Sequence, residues 1–306
     1  MDSKPESLVK YYVYIILSML FWGMSFIWSK IALEEYDPIT VIFFRLVLSA
    51  AVLTLIVKAS KNTEKIAKED RKWFLLLALA EPFFYFLGEN FGLQYVSPAV
   101  TSAIIATIPL VTPLVAFLFL KERIDKFTIT GIIISFSGII YMLVNRDLSL
   151  NASMKGIALL FLAVFSAVTY TFFIRKLANK YKALTILLWQ NIIGAVYFLP
   201  FFMVFDFSKV LSIQPTIGTI MAIVQLSIFA SGFAFWLFII VVAKLGMVKA
   251  NIFTNLIPVF TAVFAYFIIR ELITWQKVIG IILVITGIVI SQLPAVRMIY
   301  SRSRGR

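Results

Sequence analysis

Ten apolar stretches divide this chain, over residues 12–33, 38–58, 73–95, 98–120, 127–144, 154–174, 183–205, 217–242, 248–269 and 276–293. A hydrocarbon core about 30 Å thick takes roughly 20 apolar residues per helix, so each stretch is a candidate span. Backbone groups find no water inside a bilayer, and a span therefore closes its own hydrogen bonds as an α-helix. Of 306 residues, 61% are hydrophobic and 14% charged, whereas a soluble domain carries about 25% charged residues. These observations predict an all-α integral membrane protein with ten transmembrane helices. The polar connections are short, 58–72 being the longest, so no sizeable soluble domain fits between them. The first apolar stretch, Tyr11 to Leu33, exceeds a signal peptide's apolar core and is expected to be retained.

The formal net charge is +13, but the basic residues sit between apolar runs rather than on one patch. That is a membrane pattern, and no nucleic-acid partner is expected. With the N-terminus placed inside, 21 lysines and arginines fall on the cytoplasmic side and five outside. The bias predicts both termini in the cytoplasm. The chain has no Cys and no His. Zinc sites built on those residues, haem held by them, iron–sulfur clusters, thiol nucleophiles and histidine triads are thereby excluded, and neither a metal nor a cofactor is expected. No G-x-x-x-x-G-K-[ST] pattern supports ATP coupling.

The chain also repeats itself. At an offset of 149, Pro109 matches Pro258, Glu122 matches Glu271, Gly131 matches Gly280 and Gly138 matches Gly287, with 11 identities over residues 108–139. Upstream the offset is 145, pairing Tyr36, Thr40 and Ala50 with Tyr181, Thr185 and Ala195. Two five-helix halves are expected, residues 1–148 and 149–306. Five is odd, so the halves lie in opposite orientations. Inverted repeats underlie alternating access, with substrate bound near the bilayer midplane.

The segments "FWGMSFIWSKIAL", "GLQYVSPAVTSAIIATIPLVTPLVAFLFLKERIDKFTITGIIISFSGIIYML" and "NLIPVFTAVFAYFIIRELITWQKVIGIILVITG" resemble the EamA repeat of the drug/metabolite transporter superfamily. The resemblance covers nearly the whole chain. It implies a ten-helix carrier of the bacterial inner membrane, usually an exporter of amino acids or related metabolites. It further implies a central cavity among helices one, three, four, six, eight and nine. Related four-helix exporters carry a membrane-embedded Glu in their first helix; span 12–33 has no acid, so that site does not transfer.

Ionisable side chains inside a bilayer cost about 2.5–3.5 kcal/mol at the helix centre on insertion scales, and they mark function or pairing. Glu81 and Glu89 fall within the third span. Glu81, Tyr85, Gly88 and Gly92 recur at helical spacing, a face expected to be acidic, then aromatic, then open. Glu89 has two readings of equal weight: a substrate contact, or an ion pair with Lys30 or Arg45. Glu81 is the candidate for taking up and releasing a proton; its alternative is a neutral carboxyl bonded to a neighbouring helix. Trp22 stands as a cavity wall within the stripe Ser18, Trp22, Ser25 and Ser29, whose serines are read first as packing residues. Asn251 and Asn255 face the same way as Pro258 and are candidate contacts, with interhelical hydrogen bonding as the competing role. Pro109 and Pro258 remove backbone bonds within helices four and nine, freeing carbonyls near Ile105 and Thr254. Tyr170 and Trp236 are candidates through the resemblance, since it places helices six and eight at the cavity. Gly131, Ser135, Gly138, Gly280 and Gly287 are read as packing, and Glu122 and Glu271 as caps or ion-pair partners.

Taken together, the chain is expected to be a secondary carrier and not an enzyme. Its expected cargo is a small metabolite, an amino acid or amine-bearing compound, with proton-coupled export by alternating access. The alternatives are facilitated uptake without protons and a non-transporting membrane scaffold. The partners expected are the substrate, the lipid bilayer and protons; the sequence leaves oligomeric state open.

Overall fold

The computed structural model describes residues 8–60, 64–111, 126–144, 153–245, 250 and 253–304. Among these residues the fold is helical throughout, without a β-sheet. Helix α1 (Leu8–Ala32) precedes α2 (Pro38–Ala59), which opens on a proline whose missing N–H costs nothing in a first turn. The third span is split into α3 (Arg71–Ala78), a wide π-type segment (Leu79–Phe84) and α4 (Tyr85–Leu93). Next come α5 (Pro98–Ile105), α6 (Lys126–Leu143), α7 (Met154–Leu177) and α8 (Ala183–Phe201). Helix α9 (Ile217–Gln225) continues through a second wide segment (Leu226–Ala234) into α10 (Phe235–Leu245). The described chain closes with α11 (Leu256–Ile268) and α12 (Trp275–Arg304).

Six continuous helical runs are long and apolar enough to cross a membrane: Val9–Ala32, Pro38–Ala59, Lys68–Leu93, Met154–Ile174, Ala183–Val210 and Ile217–Leu245. Four shorter apolar helices, Pro98–Val111, Ile129–Leu143, Phe253–Ile268 and Trp275–Ser291, occupy the remaining stretches. The protein is a multi-pass membrane protein. Its large exposed side chains fit that solvent: Leu55, Val204, Ile217 and Phe267 stand on the outside of the bundle.

Both mid-span prolines sit differently from the sequence reading. Helix α5 stops at Ile105, Ala106 and Thr107 form a turn, and helix resumes at 108, so Pro109 falls in the first turn of a new segment. Pro258 likewise lies in the first turn of α11, after a 3-10 turn at Phe253–Asn255. A proline there loses no intrahelical bond, so the chain restarts its helix rather than bending it.

Two helix pairs close the bundle. Helix α6 packs along α12 with glycines on both sides. A Cβ at Gly138 would stand 2.7 Å from the Gly280 carbonyl and 3.0 Å from the Val284 nitrogen, so only hydrogen fits. The other pair is α2 and α8, which is clasped at both ends. Beside the start of α2, Thr40 donates through N–H and hydroxyl to the Asp206 carboxylate at 3.2 and 2.8 Å. Lys209 bridges Asp37 and Asp206 there, and the Thr216 N–H donates to Glu35 at 2.9 Å. Beside the start of α8, the Thr185 hydroxyl and Lys182 N–H donate to Glu64 at 2.6 and 2.9 Å. Asp70 receives Lys180 and Tyr181 at 3.0 and 2.9 Å. Thr40 and Thr185 are partners in the 145-residue offset, and each binds a carboxylate from the other half of the chain.

Two predictions follow from these seams. Replacing Gly138 with Val forces two backbones apart and is expected to cost about 1–3 kcal/mol, seen as a lower melting temperature in detergent. Ser137→Val on the exposed face of the same helix is the control. The bonds from Thr216 hold the Glu35 carboxyl below its ordinary value of 4.5. A group depressed in the folded state stabilises above its unfolded pKa and loses that effect as pH falls through the folded one. The melting difference between wild type and Glu35→Gln should therefore hold from pH 8 to 6 and shrink below about pH 4.5.

Candidate functional site

Residues of α1, α2, the third span, α5, α7, α10 and the start of α11 enclose a cavity of about 70 Å³. Its position depends on the wide segment in the third span. Glu81 has φ −144° and ψ 118°, an extended conformation inside a helix, and Pro82 follows it. Pro82 packs against Gly194 of α8, where a side chain would collide with the ring. The break takes Glu81 out of the regular helix and sets it in the cavity wall.

Arg45 of α2 occupies the same wall and is 2% exposed; Glu89 of α4 is 3% and Glu81 5% exposed. The Arg45 guanidinium lies 3.8 Å from Glu89 and 4.0 Å from the centre of the Phe86 ring. Its Nε donates to the hydroxyl of Ser231 in the second wide segment. Tyr85, one turn before Glu89, lines the same wall. Two atoms stay unfilled: Arg45 Nη1 and Glu89 Oε1 are buried with no hydrogen-bond partner. Across the cavity, the Tyr170 hydroxyl donates to Gln190 at 3.0 Å. Apolar walls come from Trp22, Phe26, Phe86, Phe235 and Phe238, with Trp22 4.9 Å from both Phe235 and Phe238. Ile105 and Thr254, beside the two helix restarts, also line it.

The structure thus brings Trp22, Glu81, Tyr85, Glu89 and Tyr170 together around one space. Trp236 lines a separate cavity with Tyr181 and Lys244, and Asn255 is buried away from the central walls with its Oδ1 unpartnered. Asn251 and Glu122 lie outside the described residues. Gly88 and Gly92 do not form an open continuation of the Glu81 face. A Cβ on Gly88 would meet Ala163 N at 2.8 Å, and one on Gly92 would meet Leu160 at 2.7 Å, because α7 packs directly over both. Lys30, one of the two partners considered for Glu89, borders a third cavity with Gln94 and Glu271, and Glu271 pairs with Lys277 at 2.8 Å. Among the stripe serines, Ser18 donates to the Ala234 carbonyl and Ser25 to that of Trp22. The sequence reading treated Arg45 only as a counter-ion; its charge inside an apolar span marked it as strongly as the two glutamates. Phe235 and Phe238 carried no distinguishing sequence signal.

Among the described residues no cluster of three or more acidic side chains is arranged to hold a metal ion. One guanidinium, two carboxylates and an aromatic enclosure can bind a small charged or amphipathic molecule inside the bundle.

A buried cavity at the centre of a multi-pass helical bundle is the architecture of a membrane carrier, and similarity to known proteins agrees. The model of the EamA-like transporter family matches residues 9–144 and again 154–293. The chain belongs to this family. It is 27% identical over 282 residues to an uncharacterized transporter of Archaeoglobus fulgidus, covering 92% of this chain and 98% of that one. It is 26% identical over 298 residues to the uncharacterized transporter YcxC of Bacillus subtilis, covering 91% of each. A crystal structure with 16% identity superposes with a TM-score of 0.66 over 95% of this chain and 99% of the other, which shows a shared fold. The protein is a membrane transporter.

The Arg45–Glu89 pair yields a prediction. Removing one partner of a buried ion pair strands the other charge, at a cost of about 3–5 kcal/mol. Arg45→Gln should therefore lower the melting temperature sharply. Arg45→Gln combined with Glu89→Gln should recover most of that loss.

Proposed function

We propose that the protein is a secondary carrier exporting a small amine-bearing metabolite, an amino acid or a close relative, in exchange for protons. It works by alternating access between two inverted five-helix halves, residues 1–148 and 149–306, in a bacterial inner membrane with both termini cytoplasmic. The observation carrying this reading is the central cavity, where two carboxylates face one guanidinium within an aromatic enclosure. An ammonium group finds charge partners in Glu81 and Glu89 and cation–π partners in the rings. Glu81 is the proposed proton carrier, because Arg45 is already engaged with Glu89 and Glu81 has the weaker claim on that charge. Proton and ammonium then compete for one carboxylate: binding cargo expels the proton, and protonation on the other side releases cargo. The double family match and the 21-to-5 distribution of basic residues support the halves and the orientation respectively.

Thermal shift of purified protein in detergent tests this, with a panel of amino acids, amines, nucleobases and vitamins at pH 6 and pH 8. A ligand that binds only the folded state raises the melting temperature by mass action. Amine-bearing compounds are expected to stabilise wild type more at pH 8 than at pH 6, and Glu81→Gln should lose the pH dependence. Equal stabilisation of both proteins at both pH values would sink proton competition at Glu81 and leave facilitated transport without protons.

A further inference from the structure

We infer that Arg45 is the receptor for a carboxylate on the transported molecule, with Glu89 as the counter-ion it releases when cargo binds. The inference rests on reading the central cavity as the transport site, and it narrows the cargo from any amine to a zwitterion.

The geometry of the guanidinium carries it. Arg45 is fixed from two sides, by its Nε bond to Ser231 and by the Phe86 ring beneath its plane. Its orientation is therefore set before anything binds. The nearest anion, Glu89, lies 3.8 Å from Nη1, beyond the distance of about 2.7–3.2 Å at which such a group donates. Both Nη1 and Glu89 Oε1 are buried without a hydrogen-bond partner. A buried charged donor and acceptor left unfilled cost stability, so the pair calls for an explanation, and a bound ligand is the one we infer. A carboxylate suits the guanidinium fork better than any other common anion except phosphate.

Charge balance favours a zwitterion over a plain acid. A lone carboxylate on Arg45 would leave Glu89 and Glu81 facing a third anion across one small cavity. A ligand carrying an ammonium group beside its carboxylate fills both unfilled atoms at once: the carboxylate takes Nη1, and the ammonium bridges Glu89 Oε1 and Glu81, where it competes with the proton. The cavity's net charge is then unchanged, and the remainder of the molecule lies against Trp22, Phe235 and Phe238.

Paired ligands sharing one side chain and differing only in the carboxylate provide the test: phenylalanine with phenethylamine, tryptophan with tryptamine, leucine with isoamylamine and lysine with cadaverine. Affinities are measured by thermal shift on the full chain in detergent, for wild type, Arg45→Lys and the double variant Arg45→Gln, Glu89→Gln. The double variant removes both charges, so no stranded ion confuses folding with binding. In wild type at least one amino acid should bind tenfold or more tighter than its amine. In the double variant the two should agree within about twofold, and Arg45→Lys should fall between. Amines binding wild type as tightly as their amino acids would overturn Arg45 as a carboxylate receptor while leaving the amine site intact. A tenfold preference surviving in the double variant would overturn it as well. Silence from both ligand sets would overturn this inference together with the proposed function.

Discussion

A guanidinium in the interior of a membrane protein has no water to fall back on, and the centre of this structure is arranged around that constraint. Arg45 on α2 cannot be left unsolvated, so two other elements supply what water would: α4 gives Glu89 and the Phe86 ring, and the wide segment before α10 gives Ser231. The contacts come from two separate parts of the chain, so the side chain ties α2, α4 and the segment before α10 to one point. Buried ion pairs contribute little net stability compared with an apolar replacement of the same volume. This pair is incompletely hydrogen-bonded as well, so the fold gains little from it.

Much of the site was legible in the sequence because a bilayer makes charge conspicuous. Glu81 and Glu89 stood out against apolar neighbours, and both line the cavity. Arg45 met the same criterion and was visible as a partner, yet pairing and lining are indistinguishable until distances are known. The rotation of helices was less legible. In a soluble helix the apolar stripe tells which face turns inward, but here the outward face is apolar too. Trp236 shows the consequence. It follows a nine-residue wide segment, Leu226–Ala234, where each turn takes more residues than an α-helix. Every later side chain is rotated from its nominal direction, so Phe235 and Phe238 face the central cavity and Trp236 faces another. Tyr170 lies on α7, which runs unbroken, and its direction is regular.

The third span offers the opposite lesson. Its wide segment had a signal in the sequence, the Glu81–Pro82 step, since a proline disfavours helical backbone in the residue before it. Glu81 takes that extended conformation, and the notional face running from Glu81 to Gly92 is divided. The upper part, Glu81 and Tyr85, belongs to the cavity; the glycines belong to the contact with α7. Glu89, which a regular helix sets about 80° away from Glu81, joins it on the same wall because the helix between them is not regular.

The bundle around the cavity is held by two contrasting kinds of contact. Glycines let α6 and α12 approach backbone to backbone, a contact made of close packing without charge, as suits helices in lipid. The α2–α8 pair is held instead by carboxylates at its two ends, where connections reach water and ion pairs carry less desolvation cost. Thr40 and Thr185 sit at matching positions near the starts of those helices, and each receives an acid from across the molecule. With both clasps closed in the same structure, α2 and α8 are joined at both ends, and α2 forms part of the cavity wall through Arg45. Arg45 belongs to α2, so the guanidinium is held on that wall. Glu81 and Glu89 belong to the third span, whose wide segment interrupts the regular helix between its two ends. The charge and the carboxylates that face it therefore stand on different elements, one regular and one interrupted.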